Sequence, residues 1–426
     1  MDFINDSFDY NVELTDEDIW NFGEKMLAKT TTEINRYPYP YLNALREHED
    51  GIHKVGARHP DGDDFYIVTR YEDVNELLRS TVIEKQKRVD EETRMKLVET
   101  NPIASWAQNS ILFISGNEHK NLRGLVNKSF TPKIVSQLLP IIKTLSEYLG
   151  DKMITNNKFD FVSEFGFQLP VQVIMSMLGI PESERKKVRE WTEFIVKSAT
   201  TIPDKSQLSL IFAAIKESKE YFNDLCEERR KRPQEDLISN LVAAEINGQK
   251  LNDEELYSTI ITIMVAGHET TTNVIGLSLL HILRDHDLYH RLLSSPENIT
   301  NSVDEFLRFE PTITYSLRWA HEDTEYKGHS FKKGQGVMLI YGAANRDPKV
   351  FDQPDTLMLN RANVKHLSFS GGAHYCLGAP LARAELDIAL RTVLPKLLDY
   401  EPLGEEIDTK KLGTIRGLSI FPFERR

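Results

Sequence analysis

Asn252 or Asp253 can cap a helical run that extends from Glu254 to about Asp285. In its middle, apolar residues surround much of the circumference instead of forming one stripe. A helix apolar on most faces has to be buried. At 1.5 Å per residue the run reaches roughly 45–50 Å, enough to traverse a whole domain. The rest of the chain must be built around it. Its most apolar window, Ile260 to Ala266, is too short to cross a bilayer and meets Gly267-His268-Glu269 at once. The cover is therefore protein rather than lipid, and the helix is a natural scaffold for a site.

Around that helix the pattern is mainly α. Residues 118–295 read as almost wholly helical, with turns near Gly179-Ile180-Pro181 and Thr201-Ile202-Pro203. Short strand-like pieces flank this region: Phe65-Tyr66-Ile67-Val68-Thr69, then Thr324-Glu325-Tyr326 and Val337-Met338-Leu339-Ile340 about Lys333-Gly334. Leu418-Ser419-Ile420-Phe421-Pro422-Phe423 reads as one final strand. No Gly/Ser-rich or Pro-rich linker divides the 426 residues, and no repeat is present. One mostly helical domain with small sheets at one side is expected.

The formal charge of −13, from 52 Lys+Arg against 65 Asp+Glu, gives no general attraction to phosphate and argues against a nucleic-acid partner. The acidic start, Met1-Asp2-Phe3-Ile4-Asn5-Asp6, has neither the basic end nor the apolar run of a signal peptide. Two cysteines, Cys226 and Cys376, make no disulfide framework, and a reducing, cytoplasmic setting without membrane attachment is expected.

Cys226 stands in a charged helical stretch, whereas Cys376 stands in Phe369-Ser370-Gly371-Gly372-Ala373-His374-Tyr375-Cys376-Leu377-Gly378. Gly371, Gly372 and Gly378 can take φ > 0 and let a flat object lie close above the backbone. The run from Ala379, with Pro380 in its first turn, starts a helix whose free N–H groups favour a thiolate, the metal-binding form. A buried apolar cysteine beside a turn is the competing reading.

Ala266-Gly267-His268-Glu269-Thr270-Thr271-Thr272-Asn273, within the long helix, is poor helix material. Gly267 admits either a ligand or a crossing helix; a threonine hydroxyl bonding back to a carbonyl can open the helix locally; Glu269 beside Thr270 is a plausible proton-delivery pair. Glu305 and Arg308, three apart, share a helix face. Arg318 sits among apolar residues and needs an anion, by default a surface carboxylate. His119 and Arg123, four apart, suit a ligand bearing carboxylates, as does His366, although each is equally explained as a solvated or paired side chain.

Taken together and in order, these motifs resemble the cytochrome P450 superfamily of haem-thiolate monooxygenases. The loop fits Phe-x-x-Gly-x-His-x-Cys-x-Gly at Phe369, Gly372, His374, Cys376 and Gly378, with Ser370 replacing a commoner Gly. Ala344-Asn345-Arg346-Asp347-Pro348 and Phe351 also fall where the family has them, and the resemblance spans roughly residues 35–425. It implies a single cytochrome P450 domain over 1–426, with 1–34 as an N-terminal extension and the long helix over a haem b. Cys376 would be the iron ligand, its thiolate favouring O–O cleavage, with Phe369 beside the sulfur and N–H groups after Cys376 tuning it. His119, Arg123, Arg318 and His366 or His374 would hold the haem propionates, with Ala266 and Gly378 against the cofactor. Glu305, Arg308 and Arg361 would form a buried structural set. Glu269 and Thr270 would relay protons to dioxygen. This pair distinguishes the chain from peroxide-driven hydroxylases, which carry Arg-Pro there, and from nitric-oxide reductases of the fold, which lack the acid.

The resemblance is to soluble bacterial members that are monomers fed by a separate ferredoxin or flavodoxin with its reductase, docking here near Lys120 and Lys128. By analogy the pocket draws on residues 85–110 and 192–205, with Ile195, Val265, Ile313 and Leu418 among its walls. Apolar side chains mix there with hydroxyls at Thr200, Thr201, Thr312 and Thr314. That suits an apolar, oxygen-bearing secondary metabolite such as a polyketide, macrolide or terpenoid, hydroxylated or epoxidised. The alternatives are a fatty-acid or steroid hydroxylase of the same fold, or a haem protein that binds without turnover.

Overall fold

A computed structural model of the chain describes residues 13–20, 37–56, 65–87, 89–100, 102–200, 205–410 and 414–426. It is mainly α, 57% helical, with small sheets. The chain divides into two compact units, each discontinuous in sequence. One takes its described residues from 1–87, 146–168 and 270–426, the other from 88–145 and 169–269.

The first unit holds a five-stranded sheet in the order Ile52–Val55, Phe65–Val68, Gly336–Ile340, Tyr315–Ala320, Ile83–Glu84. The Phe65–Val68 and Gly336–Ile340 strands run parallel and every residue in both is buried, which explains why they read as unbroken apolar runs rather than alternations. Gly336 pairs with Phe65, and a Cβ there would lie 2.2 Å from the Phe65 ring. The expected final strand is two strands. Leu418–Ile420 pairs with Asp408–Thr409, while Pro422–Arg425 joins a separate sheet with Tyr400–Pro402 and Lys158–Asp160. Phe421 breaks them: its ring is buried, its N–H donates to Asp160 Oδ1 (2.7 Å), and its carbonyl accepts from Phe161 N (2.9 Å).

In the second unit the helical reading of 118–295 is interrupted by a hairpin, Glu245–Ile246 with Gln249–Lys250. Its two turn residues, Asn247 and Gly248, both take positive φ (52° and 80°), as the tightest hairpin turn requires. The Gly179 turn has φ 71°, and a Cβ there would strike Asp236 Oδ2 at 2.2 Å. Asp236 is held by a buried bond from Arg229 Nε (2.6 Å). The expected turn at Thr201-Ile202-Pro203 and the pocket positions Thr200 and Thr201 fall outside the residues whose side chains the structure describes, as does most of the 1–34 extension.

The long helix runs Asp253–Arg284, 32 residues, and remains α-helical through the Ala266–Asn273 motif. Asn252 caps it: its Oδ1 accepts from Glu255 N and Glu255 Oε2 accepts from Asn252 N, each at 2.9 Å. Thr262 bonds back to the Ser258 carbonyl (2.6 Å) and also accepts from Trp106 Nε1 (3.1 Å) without breaking the helix.

Candidate active site

Cys376 closes a loop that begins at Phe369, its N–H donating to the Phe369 carbonyl at 2.9 Å. Positive φ occurs at Ser370 (62°) and Gly372 (62°), whereas Gly371 (−155°) and Gly378 (−81°) have ordinary backbone. The left-handed turn thus falls on the position where serine replaces glycine. There Ser370 Oγ accepts a hydrogen bond from Tyr341 OH (2.9 Å). Gly372 is needed for a second reason, since a Cβ would lie 2.6 Å from the Leu78 carbonyl. At Gly378 a Cβ would meet nothing within 4 Å, so its lack of bulk serves no neighbour among the described residues. The Ala379–Lys396 helix follows, with proline in its first turn. Cys226, by contrast, is buried in a helix and burial pushes its thiol up to about 11.

Tyr341, whose hydroxyl bonds Ser370 of this loop, also interacts with Arg318, where positive charge is concentrated. Arg318, 2% exposed, donates to Ser316 Oγ and to the Leu317 carbonyl (3.2 Å). Lys85 donates to the same Ser316 Oγ at 3.2 Å. Among the described residues neither cation has a carboxylate partner. Burial, with Arg318 adding to it, pulls the Lys85 ammonium down to about 7. Lys85 escaped the sequence analysis because Glu84-Lys85-Gln86-Lys87-Arg88 reads as a solvated charge run. A buried guanidinium and a half-buried ammonium on one hydroxyl are a cradle for carboxylates.

The other candidate histidine is differently engaged. His366 Nε2 bonds Asp304 Oδ1 (3.1 Å), and its Nδ1 accepts from Ser368 N (3.2 Å). Arg383 Nε donates to the same Asp304 oxygen (2.7 Å), and its guanidinium lies 4.7 Å from the Phe369 ring centroid. Asp304 and Arg383 therefore fix the Phe369 end of the cysteine loop. His374, half-buried, sits two residues before Cys376.

Glu305 and Arg308 are both fully buried and joined by two bonds of 2.7 and 2.8 Å. Arg361 Nε adds a third contact to Glu305 at 2.9 Å, and Met358 N a fourth at 2.9 Å. Arg308 also donates to the carbonyls of Asn345, Pro354 and Thr356, which shape the segment before Arg361.

In the second unit, His119 and Arg123 share a face of the Gly116–Ser129 helix. Burial and the neighbouring Arg123 charge pull His119 down to about 4, so its imidazole is neutral at pH 7. Of the two readings for Gly267, the crossing helix fits: a Cβ there would lie 2.6 Å from Ile174 Cδ1. Ala266, Glu269 and Thr270 are half-buried. Ile195 is buried and Val265 half-buried. In the first unit, Ile313 forms an isolated bridge with Ile415, while Leu418 packs within 3.6 Å of where a Gly276 Cβ would stand.

A profile described as Cytochrome P450 matches residues 53–295 and 297–411. The chain belongs to the cytochrome P450 family. Among its relatives, the polyketide biosynthesis cytochrome P450 PksS of Bacillus subtilis (strain 168) is 36% identical over 399 residues, 92% of this chain and 96% of that protein. The solved structure of the Bacillus subtilis 168 bacillaene polyketide synthase P450 PksS superposes with a TM-score of 0.83 at 34% identity, covering 93% of this chain and 99% of that one. That of P450BioI in complex with hexadec-9Z-enoic acid ligated acyl carrier protein gives 0.84 at 29% identity, covering 94% and 100%. The fold, the monooxygenase class and a haem-thiolate cofactor come with this membership. The donor set fits that cofactor: one loop cysteine, an open glycine beside it, and two cations, Arg318 and Lys85, with no carboxylate partner among the described residues. No helix among the described residues is long and apolar enough to cross a membrane.

Proposed function

We propose that this cytochrome P450 uses haem b to insert one oxygen atom of O2 into an apolar, oxygen-bearing small molecule of polyketide or macrolide kind. A separate ferredoxin or flavodoxin with its reductase supplies the electrons in the cytoplasm. The observation that carries the substrate class is the 36% identity to a polyketide biosynthesis P450 over nearly the whole chain. The mixture of apolar and hydroxyl side chains at the pocket positions points the same way. Haem held by a thiolate supplies the dioxygen and one-electron chemistry.

Cys376 would hold the haem iron through its thiolate, with the Phe369 ring, backed by Arg383, beside the sulfur. Arg318 and Lys85 bind carboxylate oxygens of the cofactor, with His374 as a further donor. His366 is left to orient the loop through Asp304. Family resemblance gives His119 and Arg123 the same carboxylates, to which His119 offers a ring N–H. Family resemblance assigns Ala266 to the cofactor and Val265, Ile195, Ile313 and Leu418 to the substrate. Glu269 takes protons from solvent and Thr270 passes them onward through its hydroxyl.

Three measurements test this reading. The reduced protein under carbon monoxide should show the red-shifted thiolate Soret band, and Cys376→Ser should lose it. Thr270→Ala should consume reductant and release peroxide with little product; full coupling in that variant removes Thr270 from proton delivery. A spin-shift titration should respond to macrolide or polyketide ligands. The P450BioI complex favours a second reading, an acyl chain on a carrier protein. A response only to carrier-bound or free fatty acids would replace the first reading with that one.

A further inference from the structure

Well outside the residues assigned above, the turn between the Tyr39–Glu47 helix and the Ile52–Val55 strand gathers His48, Glu49 and His53. One ligand atom from each lies within 4.8 Å of the other two. We propose that these three side chains bind a divalent transition metal of the zinc type, with water completing the coordination.

The ring nitrogens carry the argument. His53, 5% exposed, is bonded through Nε2 to the Leu45 carbonyl at 2.7 Å. A carbonyl only accepts, so Nε2 holds the proton and Nδ1 keeps the lone pair. This backbone bond orients the ring as the outer partner of a metal-bound histidine does. At His48, Nε2 lies 3.7 Å from Asp16 Oδ1, beyond hydrogen-bond range, while its Nδ1 is buried and has no hydrogen-bond partner among the described residues. The rings stand 5.5 Å apart at 64°, edge to face, so both Nδ1 atoms can converge on one point.

The turn itself is fixed. Glu49 and Gly51 both have positive φ (45° and 77°), and their carbonyls are held by Arg70 Nη2 and by Thr69 Oγ1 (2.8 Å). Asp50 is already committed, to His329 Nε2 (2.7 Å) and Ile52 N (3.0 Å), and is left out of the set. Glu49 is exposed and can swing. Tetrahedral zinc at 2.0–2.1 Å sets its ligands about 3.4 Å apart. Rotation of Glu49 and the partly exposed His48 closes that gap around an immobile His53. Two neutral imidazoles with one carboxylate suit zinc among the available cations.

The test uses the haem-loaded protein in a His286→Ala/His290→Ala background, because those exposed histidines have Nε2 atoms 3.1 Å apart and can chelate on their own. Zinc is titrated in competition with a chromophoric chelator, and melting is followed with and without the metal. The expected result is one zinc per chain, a higher Tm with zinc, and binding weakened tenfold or more by His48→Ala. Glu49→Gln should weaken it less. Both positions are partly or fully exposed, so the variants should keep the haem spectrum of the parent. Absence of stoichiometric zinc in the background protein, or binding unchanged by His48→Ala, overturns the proposal.

Discussion

Arg308 and Arg318 lie ten residues apart, both deeply buried and both arginine, yet their surroundings differ in one respect. Arg308 faces Glu305 through two bonds and gives its remaining donors to carbonyls. Arg318 shares one serine hydroxyl with Lys85, and among the described residues no carboxylate faces either. A guanidinium matched inside the fold belongs to its architecture. A guanidinium buried beside a second cation makes the folded chain less stable until an anion arrives, and so marks where one binds. The same logic separates Glu310 from Glu385. Glu310 accepts from Tyr39 OH (2.8 Å) and His281 Nε2 (2.7 Å) and pairs with Arg416, which holds its carboxyl far below the usual range against the cost of burial. Both oxygens of Glu385 are buried without a hydrogen-bond partner among the described residues.

Breaking the matched pair should have the largest effect. Glu305→Ala leaves Arg308 and Arg361 facing each other across an apolar gap and should cost about 3–5 kcal/mol in chemical denaturation. Arg308→Ala should be as severe. A loss below about 1 kcal/mol would mean that carbonyls alone satisfy Arg308. Arg318→Ala should do the reverse. The cofactor-free protein should keep its stability or gain some, while haem is held about 10–100-fold more weakly, the worth of a charge-assisted bond of 1.5–3 kcal/mol. Haem transfer to apomyoglobin reads the second quantity and the denaturation midpoint the first. Destabilised apoprotein with unchanged haem release would return Arg318 to an architectural role.

Much of this was legible in the chain, and what was not has a physical reason. The long helix was found nearly to the residue because its cap is local, with Asn252 and Glu255 three apart. The cysteine loop was legible because a thiol, a histidine and glycines at fixed spacing encode one geometry. Contacts distant in sequence left no such trace. Asp304 meets His366 and Arg383 across 62 and 79 residues, so a histidine that reads as a ligand donor is an internal partner. Gly267 announces that something passes close, but only the fold shows that it is Ile174. Lys85 looked solvated because its neighbours are charged. The hairpin at 245–250 was missed even though Asn247-Gly248 is the strongest short turn signal in that stretch.

Glu385 tests the unmatched case from the acidic side. Burial alone pushes its carboxyl up to about 8. In the unfolded chain it titrates near 4.3. Between those values the folded protein holds a proton that the unfolded chain releases, so stability falls as pH rises from about 4 to 8 and stays reduced above. Glu385→Gln keeps the shape without the proton. It should match the parent near pH 4 and exceed it by as much as about 4–5 kcal/mol at pH 8. Denaturation midpoints at four pH values decide the matter, and parallel curves for the two proteins would show that the carboxyl finds a partner.

Lys85 gives the smallest effect and the most specific one. In the cofactor-free protein its ammonium titrates at about 7, below its ordinary range, because burial and Arg318 disfavour the charge. Between about 7 and 10.4 the unfolded chain holds a proton that the folded chain has lost, so Lys85 lets apoprotein stability rise with pH across that window. A carboxylate placed beside it raises that value, by about half a unit for a threefold coupling, so haem capture takes up a proton just above pH 7. Haem affinity of the parent should therefore decline from pH 7 toward pH 9. Lys85→Met, similar in length and without charge, should bind haem about threefold more weakly at pH 6.5, less than 1 kcal/mol. It should show no such decline and converge on the parent at pH 9. Identical slopes in both proteins would mean that the proton is taken up elsewhere and that Arg318 alone answers the carboxylate.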